Sequence, residues 1–418
     1  MVVRCAVLTA VLAGACARET AVWDPVGDPT VPGAAASAIA WPDDVPLPPA
    51  FATPTWLTMP EPGRISLGWR TVELSTATVV LVSADGIGTS ISVDAPATLH
   101  HVDLGVLPDA TTFHYRVLLD GGGEWEGVFT TPGREEWRFV HLGEFHAPSE
   151  SVEVARFAEA IRAFQPQLAI ESGDMMNDGN DDAQWIDYLN TSRPWISNVL
   201  LLPAHSNHVN GPSGNPILTS LFQLPNNERW YTTRYGAVEI VTLDSTYDGK
   251  ALDIESEPAW IEGSMEAVRD APEPPVFTIG AWHYPACSSH YSSRSPGRRW
   301  VIENLVGAFA ASGGLDLILV GHDKYYERSI LTVGGQHIQH LMANAGKLSP
   351  GRAGDNEPEC SPILTDTETR SLVLVGVSPS AMVARVIDQE GAILDEFTVA
   401  PRPPAPAAAA AARSGGSP

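Results

Sequence analysis

The sequence predicts an α/β protein, a two-sheet sandwich preceded by a smaller antiparallel β-sandwich. Three observations carry that expectation. Five apolar runs, Trp137–Leu142, Leu168–Ile170, Val199–Leu202, Val276–Trp282 and Leu315–Val320, are separated by helical patterns, as buried strands of an α/β sheet are. Between about 54 and 132, short stretches alternate polar and apolar residues and are broken by turn signals. From Arg134 to about Val399 helices and strands alternate. Late strands near 328–333, 337–343, 371–377, 382–387 and 393–398 are expected to form the second sheet.

In chain order, Arg4 and the apolar stretch Ala6–Ala15 form the pattern of an export signal, too short to span a bilayer. Ala13-Gly14-Ala15-Cys16 resembles a bacterial lipoprotein cleavage site, with Cys16 as the lipidated residue and Ala13 where leucine is usual. A plain secretory signal is the alternative. Either places the expected product outside the cytoplasm: periplasmic, on the cell surface or secreted. No other segment is long and apolar enough to cross a membrane, so membrane contact is expected only through that anchor. Residues 17–53 are Pro- and Ala-rich and read as a linker, and the Pro/Ala/Gly/Ser tail 401–418 as disordered.

Within 54–132, Ile65, Leu67 and Trp69 alternate with polar residues, as do Phe113, Tyr115 and Val117. Ala84-Asp85-Gly86 and Asp120-Gly121-Gly122-Gly123 supply turns. The stretch from Val102 to Val117, with a closing Phe129-Thr130-Thr131-Pro132, resembles the late strands of a fibronectin type III module. In the segment 134–400, Val154, Phe157, Ala158, Ile161 and Phe164 fall at helical spacing, and a second helix is expected over Val301–Ala311.

A length of 418 residues suggests two domains plus flanks, and 44% hydrophobic residues with twelve Trp suffice for packed cores. The net charge of −25 is spread along the chain. It argues against nucleic acid as a partner and otherwise reads as a solvated surface. Of four cysteines, Cys287 and Cys360 lie in the expected globular part. An oxidising compartment would allow them to pair across a long loop. No neighbouring base marks Cys287 as a nucleophile.

Each apolar run ends in a short polar punctuation: Gly143-Glu144-Phe145-His146, Gly173-Asp174, Asn207-His208, Trp282-His283 and Gly321-His322. Ligand sites of α/β sheets gather at the carboxyl ends of strands. Five strands would therefore bring Glu, Asp, Asn and His to one rim, the donor types that a hard or borderline divalent metal takes. Singly, a Gly-Asp is a turn and a lone His a packed or surface residue. Order and placement together point to metal.

Gly173-Asp174, Asn207-His208, Trp282-His283-Tyr284-Pro285 and Gly321-His322-Asp323-Lys324-Tyr325-Tyr326-Glu327-Arg328, behind a fibronectin-like module, resemble the calcineurin-like metallophosphoesterases, most closely the purple acid phosphatase group. The resemblance covers roughly residues 54–399. It implies a two-sheet sandwich with divalent ions at the strand ends, hydrolysing small phosphate monoesters or diesters by attack of a metal-bound hydroxide. It makes Asp174 the bridging carboxylate, Asn207 a carbonyl ligand, and His283 and His322 imidazole ligands. That set suits Zn2+, Mn2+ or Fe2+ better than Ca2+. His208 would contact the phosphoryl group and protonate the leaving oxygen. His290 would sit on a loop of substrate-contacting histidines, at shorter spacing than the family has. His205 would either face the pocket or cap a turn, and Glu327 and Arg328 would pair behind the ligand loop.

The first metal position departs from the family. Glu144 replaces its leading Asp, and His146 holds the Asp-x-His position. Three residues after Asp174, where purple acid phosphatases have Tyr, stands Asn177, so no tyrosinate colour is expected. The second His of Gly-His-x-His is Lys324, whose ammonium has no lone pair for a metal. In the preferred arrangement Lys324 pairs with Glu144 and Asp174 in place of one ion, leaving one metal. In the other, Glu144, His146 and Asp174 hold a second, weaker ion. The expected activity is that of an exported phosphoesterase. The alternative is a pseudoenzyme that binds or scaffolds on the same fold.

Overall fold

The computed structural model describes residues 41–133, 136–209, 215–246, 254–290 and 296–402. The expected export signal, Cys16, the first part of the linker and the tail from 403 lie outside the described residues.

Five antiparallel strands come first: β1 (Trp56–Glu61), β2 (Arg64–Ser83), β3 (Gly88–Val106), β4 (Thr112–Leu119) and β5 (Glu124–Thr130). The alternation expected from sequence is present, with Phe113, Tyr115 and Val117 buried on one face of β4. The first half of β2 pairs with β1 and the second half of β3. Register shifts between Arg70 and Ala77 then let its second half pair with the start of β3 and with β4, which β5 extends.

Next come β6 (Trp137–Leu142), β7 (Leu168–Glu171) and β8 (Leu200–Pro203), parallel and buried throughout. Near-continuous apolar runs are what parallel strands covered on both faces require. β9 (Tyr231–Tyr235), β10 (Val238–Thr242), β11 (Phe277–Ala281) and β12 (Leu317–Val320) follow. The chain closes with β13 (Tyr326–Val333), β14 (Gln336–Met342), β15 (Cys360–Asp366), β16 (Leu372–Val377), β17 (Met382–Ile387) and β18 (Ile393–Val399).

The late strands do not make one sheet, contrary to expectation. β13, β14 and β15 join β9 to β12 in a seven-stranded sheet, whereas β16, β17 and β18 continue the other sheet beside β6. Every residue of β16 is buried, so it needs an interior place, and Val373–Val377 pair with Trp137–His141 to provide one. That first sheet also runs on through β8 into β1 at Leu200 and Leu57, so the N-terminal strands are continuous with it.

Alternation builds the layers. Phe139, Ile240, Ile279, Leu317 and Leu319 share the core between the sheets. Val241, Ile318 and Val320 point the other way, against Ile261 and Phe309. Those two residues come from the helix Glu257–Arg269 and from a continuous helical stretch, Pro296–Ser312, with a π segment at Val301–Val306. The helices Ser151–Ala155 and Ala158–Phe164 bury Val154, Phe157, Ile161 and Phe164, the spacing read from sequence.

Cys287 and Cys360 are joined, with Cα atoms 5.6 Å apart across a separation of 73 residues, tying the segment after β11 to β15. Replacing both with Ser is expected to cost about 2–5 kcal/mol, because the unfolded chain regains the freedom of that loop. A lowered urea midpoint would show it, and an unchanged midpoint would refute it.

At the end of β7, Glu171 is fully buried, with one carboxylate oxygen 3.1 Å from the Tyr188 hydroxyl and the other without a hydrogen bond. Burial pushes its carboxyl up to about 8 from an ordinary 4.5, and the Tyr188 bond offsets only part. A folded value above the unfolded one means no penalty below about pH 4.5 and a growing loss of stability as pH rises toward 8. Glu171→Gln is therefore expected to stabilise the protein at pH 7, by on the order of 3 kcal/mol. Melting curves between pH 5 and 8 should show the variant's advantage widening; parallel curves would contradict the assignment.

Candidate metal centre

β6, β7, β8, β11 and β12 all end at one rim, where the two sheets meet. The N–H groups of Ala345 and Lys347, after β14, donate to the carbonyls of Gly143 and Glu144 at 2.9 and 2.7 Å and lace the rims together. Gly173 has φ +97°, and a Cβ there would lie 2.9 Å from His283 Nδ1, so glycine lets β7 end against β11. Nine non-glycine residues among those described have positive φ. Five of them are Glu144, His146, Asp174, His322 and Lys324. Such conformations cost about 1–3 kcal/mol each and gather where function over-determines the backbone.

One ligand group is tight. His283 Nε2 lies 2.9 Å from Asn207 Oδ1 and 3.3 Å from Asp174 Oδ1, and His322 Nδ1 lies 3.2 Å from both Asn207 Oδ1 and His283 Nε2. His283 Nδ1 donates to the Ser172 carbonyl at 2.9 Å, which turns Nε2 inward. The Asp174 N–H donates to Ser206 Oγ at 2.9 Å. Lone-pair atoms thus converge with too few protons to pair them.

On the opposite side, Asp174 Oδ2 is buried and accepts no hydrogen bond. His146 Nε2 stands 3.5 Å from it and His208 Nε2 3.8 Å. Within the groups His146, Asp174, His208 and Asp174, His283, His322, the ligand atoms lie within 4.8 Å of one another. An orphaned carboxylate oxygen faced by imidazole nitrogens fits a divalent cation.

Glu144 and Lys324 are in contact, as the preferred arrangement expects. Lys324 Nζ is 3.5 Å from Glu144 Oε2 and donates to the His322 carbonyl at 3.1 Å. Glu144 Oε1 accepts the His322 N–H, and Oε2 is 2.9 Å from His146 Nε2. Burial would raise the Glu144 carboxyl, but the Lys324 ammonium and the His146 bond prevail and hold it down to about 2. Burial likewise works against charge on Lys324, and the Glu144 and Asp174 carboxylates outweigh it, raising the ammonium above its ordinary value. His322 goes the other way: burial and the neighbouring His283 push it down to about 3, leaving a neutral ligand.

The other expected residues fall elsewhere. His290 is not brought to the cluster. Its N–H donates to the Tyr325 hydroxyl at 3.0 Å, its ring packs on Tyr325, and its backbone bridges Ala353. His205 Nε2 is 3.2 Å from the Glu228 carbonyl, which is the turn-side role rather than the pocket. Glu327 and Arg328 do not pair, because neighbours on a strand point to opposite faces. Arg328 binds Asp395 at 2.6 and 3.1 Å, and Glu327 accepts from Tyr325, Ser289 and Ser329.

Asn177 was legible only as an absent tyrosine. Its Nδ2 donates to the carbonyls of His146 and Ala147, both at 3.2 Å, so its Oδ1 faces His146 Nδ1 at 3.1 Å. Its own carbonyl takes the His208 Nδ1 proton at 2.5 Å. Backbone partners of this kind, like the Ser172 carbonyl, leave no mark on residue identity.

The fold is that of the metallophosphoesterases, and it resembles purple acid phosphatase. A purple acid phosphatase from yellow lupin (Lupinus luteus) seeds superposes with a TM-score of 0.66 at 16% identity, covering 83% of this chain and 74% of that one. PhoD gives 0.59 at 10% identity, covering 85% and 93%. GAP50, the anchor in the inner membrane complex of Plasmodium, gives 0.50 at 13%, covering 64% and 90%. Neither a family model nor a curated protein matches the chain.

Proposed function

We propose that this protein is a metal-dependent phosphoesterase acting on small phosphate monoesters or diesters. The convergence of Asn207, His283 and His322 on Asp174 carries the proposal, supported by the fold it shares with purple acid phosphatase and PhoD. One carboxylate, one amide oxygen and two imidazoles suit Zn2+, Mn2+ or Fe2+. When bound, such an ion supplies a Lewis acid for a phosphoryl oxygen and for water.

The chain's own residues do the rest. Asp174, Asn207, His283 and His322 hold the ion. The Lys324 ammonium, beside Glu144, supplies a fixed positive charge that helps orient an anionic ester. With one ion present, His208, whose side chain is 31% exposed, keeps Nε2 open to contact the phosphoryl group or give a proton to the leaving oxygen. Tyr284, its ring 4.3 Å from that of His322, shields the ligand from one side.

The segment 54–132 is proposed as a fibronectin-like module supporting the domain 134–400, consistent with the split pairing of β2. Export, with or without lipid at Cys16, is part of the same proposal. The Cys287–Cys360 bond supports it, since disulfides persist in oxidising compartments.

A scaffold without activity is the second reading, favoured by one observation: the Glu144–Lys324 pair satisfies part of the site without metal. Assays of mono- and diester hydrolysis before and after chelator treatment separate the two. Metal-dependent turnover supports the enzyme. Absence of turnover with Zn2+, Mn2+ and Fe2+ alike supports the scaffold.

A further inference from the structure

We propose that Ser245 is a positioning residue of the metal centre: its hydroxyl oxygen takes the backbone N–H groups of His283 and Tyr284 together and fixes where both rings stand. The inference rests on the phosphoesterase reading for the ion and adds a residue outside the ligand set.

Four observations carry it. Ser245 is fully buried, and its Oγ accepts the His283 N–H at 3.2 Å and the Tyr284 N–H at 2.7 Å. It stands where the ladder between two parallel strands runs out. β10 and β11 pair as far as Thr242 and Ala281, and the Leu243 N–H then reaches the Ala281 carbonyl at 2.9 Å. Beyond that rung a side-chain oxygen takes the place of a backbone carbonyl and serves two successive donors. Ser245 is itself held still by its neighbour Asp244, which is buried. The Asp244 carboxylate accepts from Arg229 Nε and Nη2 at 3.2 and 2.6 Å and from the Thr246 N–H at 3.1 Å. The Asp244 N–H donates to Glu257 Oε1 at 3.0 Å. Lastly, both residues that Ser245 holds belong to the site. His283 Nε2 lies 2.9 Å from Asn207 Oδ1, and the Tyr284 ring lies 4.3 Å from that of His322.

His283 is thereby fixed from three sides. Ser245 holds its N–H from the end of β10, and the Gly321 N–H holds its carbonyl at 3.1 Å from the end of β12. The Ser172 carbonyl, after β7, holds Nδ1 at 2.9 Å. Nε2 then has one place to point. Groups that orient a ligand govern metal affinity alongside the ligands themselves. Without the Ser245 oxygen, two backbone N–H groups of buried residues lose their acceptor, and the chain must shift to find another. That shift moves one ligand imidazole and the ring packed on the other.

Calorimetric titration of metal-stripped protein with Zn2+ tests the assignment without reference to activity. Ser245→Ala is expected to weaken Zn2+ binding by about 10–100-fold. Ser245→Cys fills the same space with a poor acceptor and should weaken it to a similar degree; it also replaces the alanine variant should that one fail to fold. Tyr235→Phe is the control for stability alone. It removes a buried hydroxyl bonded to the Thr130 carbonyl at 2.9 Å, at the opposite end of the β9–β10 pair. It should lower the melting temperature and leave Zn2+ affinity within about twofold. Wild-type affinity in Ser245→Ala or in Ser245→Cys overturns the positioning role while the phosphoesterase reading stands. A loss in Tyr235→Phe equal to that in Ser245→Ala overturns it too, since general loosening then accounts for both. No Zn2+ bound by wild type overturns the positioning role and the phosphoesterase reading together.

Discussion

Asp174→Ala is expected to lower hydrolysis of a phosphate monoester by about three orders of magnitude or more, roughly 4 kcal/mol of barrier. Asp174 is the one side chain that both ligand groups share, with Oδ1 turned to His283 and Oδ2 to His146 and His208. Truncating it removes a ligand from each group and the only carboxylate in either. Folding is not expected to suffer in proportion. Asp174 and Glu144 are like charges buried side by side, so deleting one also removes a repulsion. A melting curve near that of wild type, with activity at background, is the expected pair of results. Activity within tenfold of wild type would mean that the chemistry lies elsewhere.

Lys324→Met should destabilise the metal-free protein by about 3–5 kcal/mol, the cost of leaving a buried charge without its partner. The Lys324 ammonium lies 3.5 Å from Glu144 Oε2, and the Glu144 and Asp174 carboxylates together hold its charge against burial. Without it, two buried carboxylates share a rim. Zn2+ should restore much of the loss, because an ion bound only by the folded state stabilises it by mass action. Lys324→His makes the complementary case: it swaps a donor without lone pairs for a ligand and should raise the affinity of the second ion. Thermal melting of all three proteins with and without Zn2+ measures this. A Lys324→Met variant as stable as wild type without metal would show that the ammonium does not stand in for a cation.

Much of this was legible in the residues. Five strands were found within one or two residues of their ends, because parallel strands buried on both faces must be written as unbroken apolar runs. Gly-Asp and Gly-His were legible because only glycine lets the rims close, as at Gly173. The late strands were misplaced since an apolar run does not say which sheet it joins. β16 went to β6, more than 200 residues earlier in the chain, on the strength of pairing alone. His290 looked like a site residue from its spacing after His283, but the Tyr325 hydroxyl holds its backbone and Cys287 anchors the segment to Cys360. Asn177 looked like a loss, whereas its carbonyl and amide orient two histidines. Backbone acceptors and the left-handed conformations of Glu144, His146, Asp174, His322 and Lys324 have no signature in residue type.

Metal dependence at Asp174 is measured by following hydrolysis of an aryl phosphate monoester and diester while metal-stripped wild type is titrated with Zn2+, Mn2+ or Fe2+, alongside Asp174→Ala. Stripped protein is expected to show no turnover, wild type a rate that rises with added ion and saturates, and the variant no response. Turnover that survives stripping, or wild type that binds the ion and hydrolyses neither ester, would contradict it.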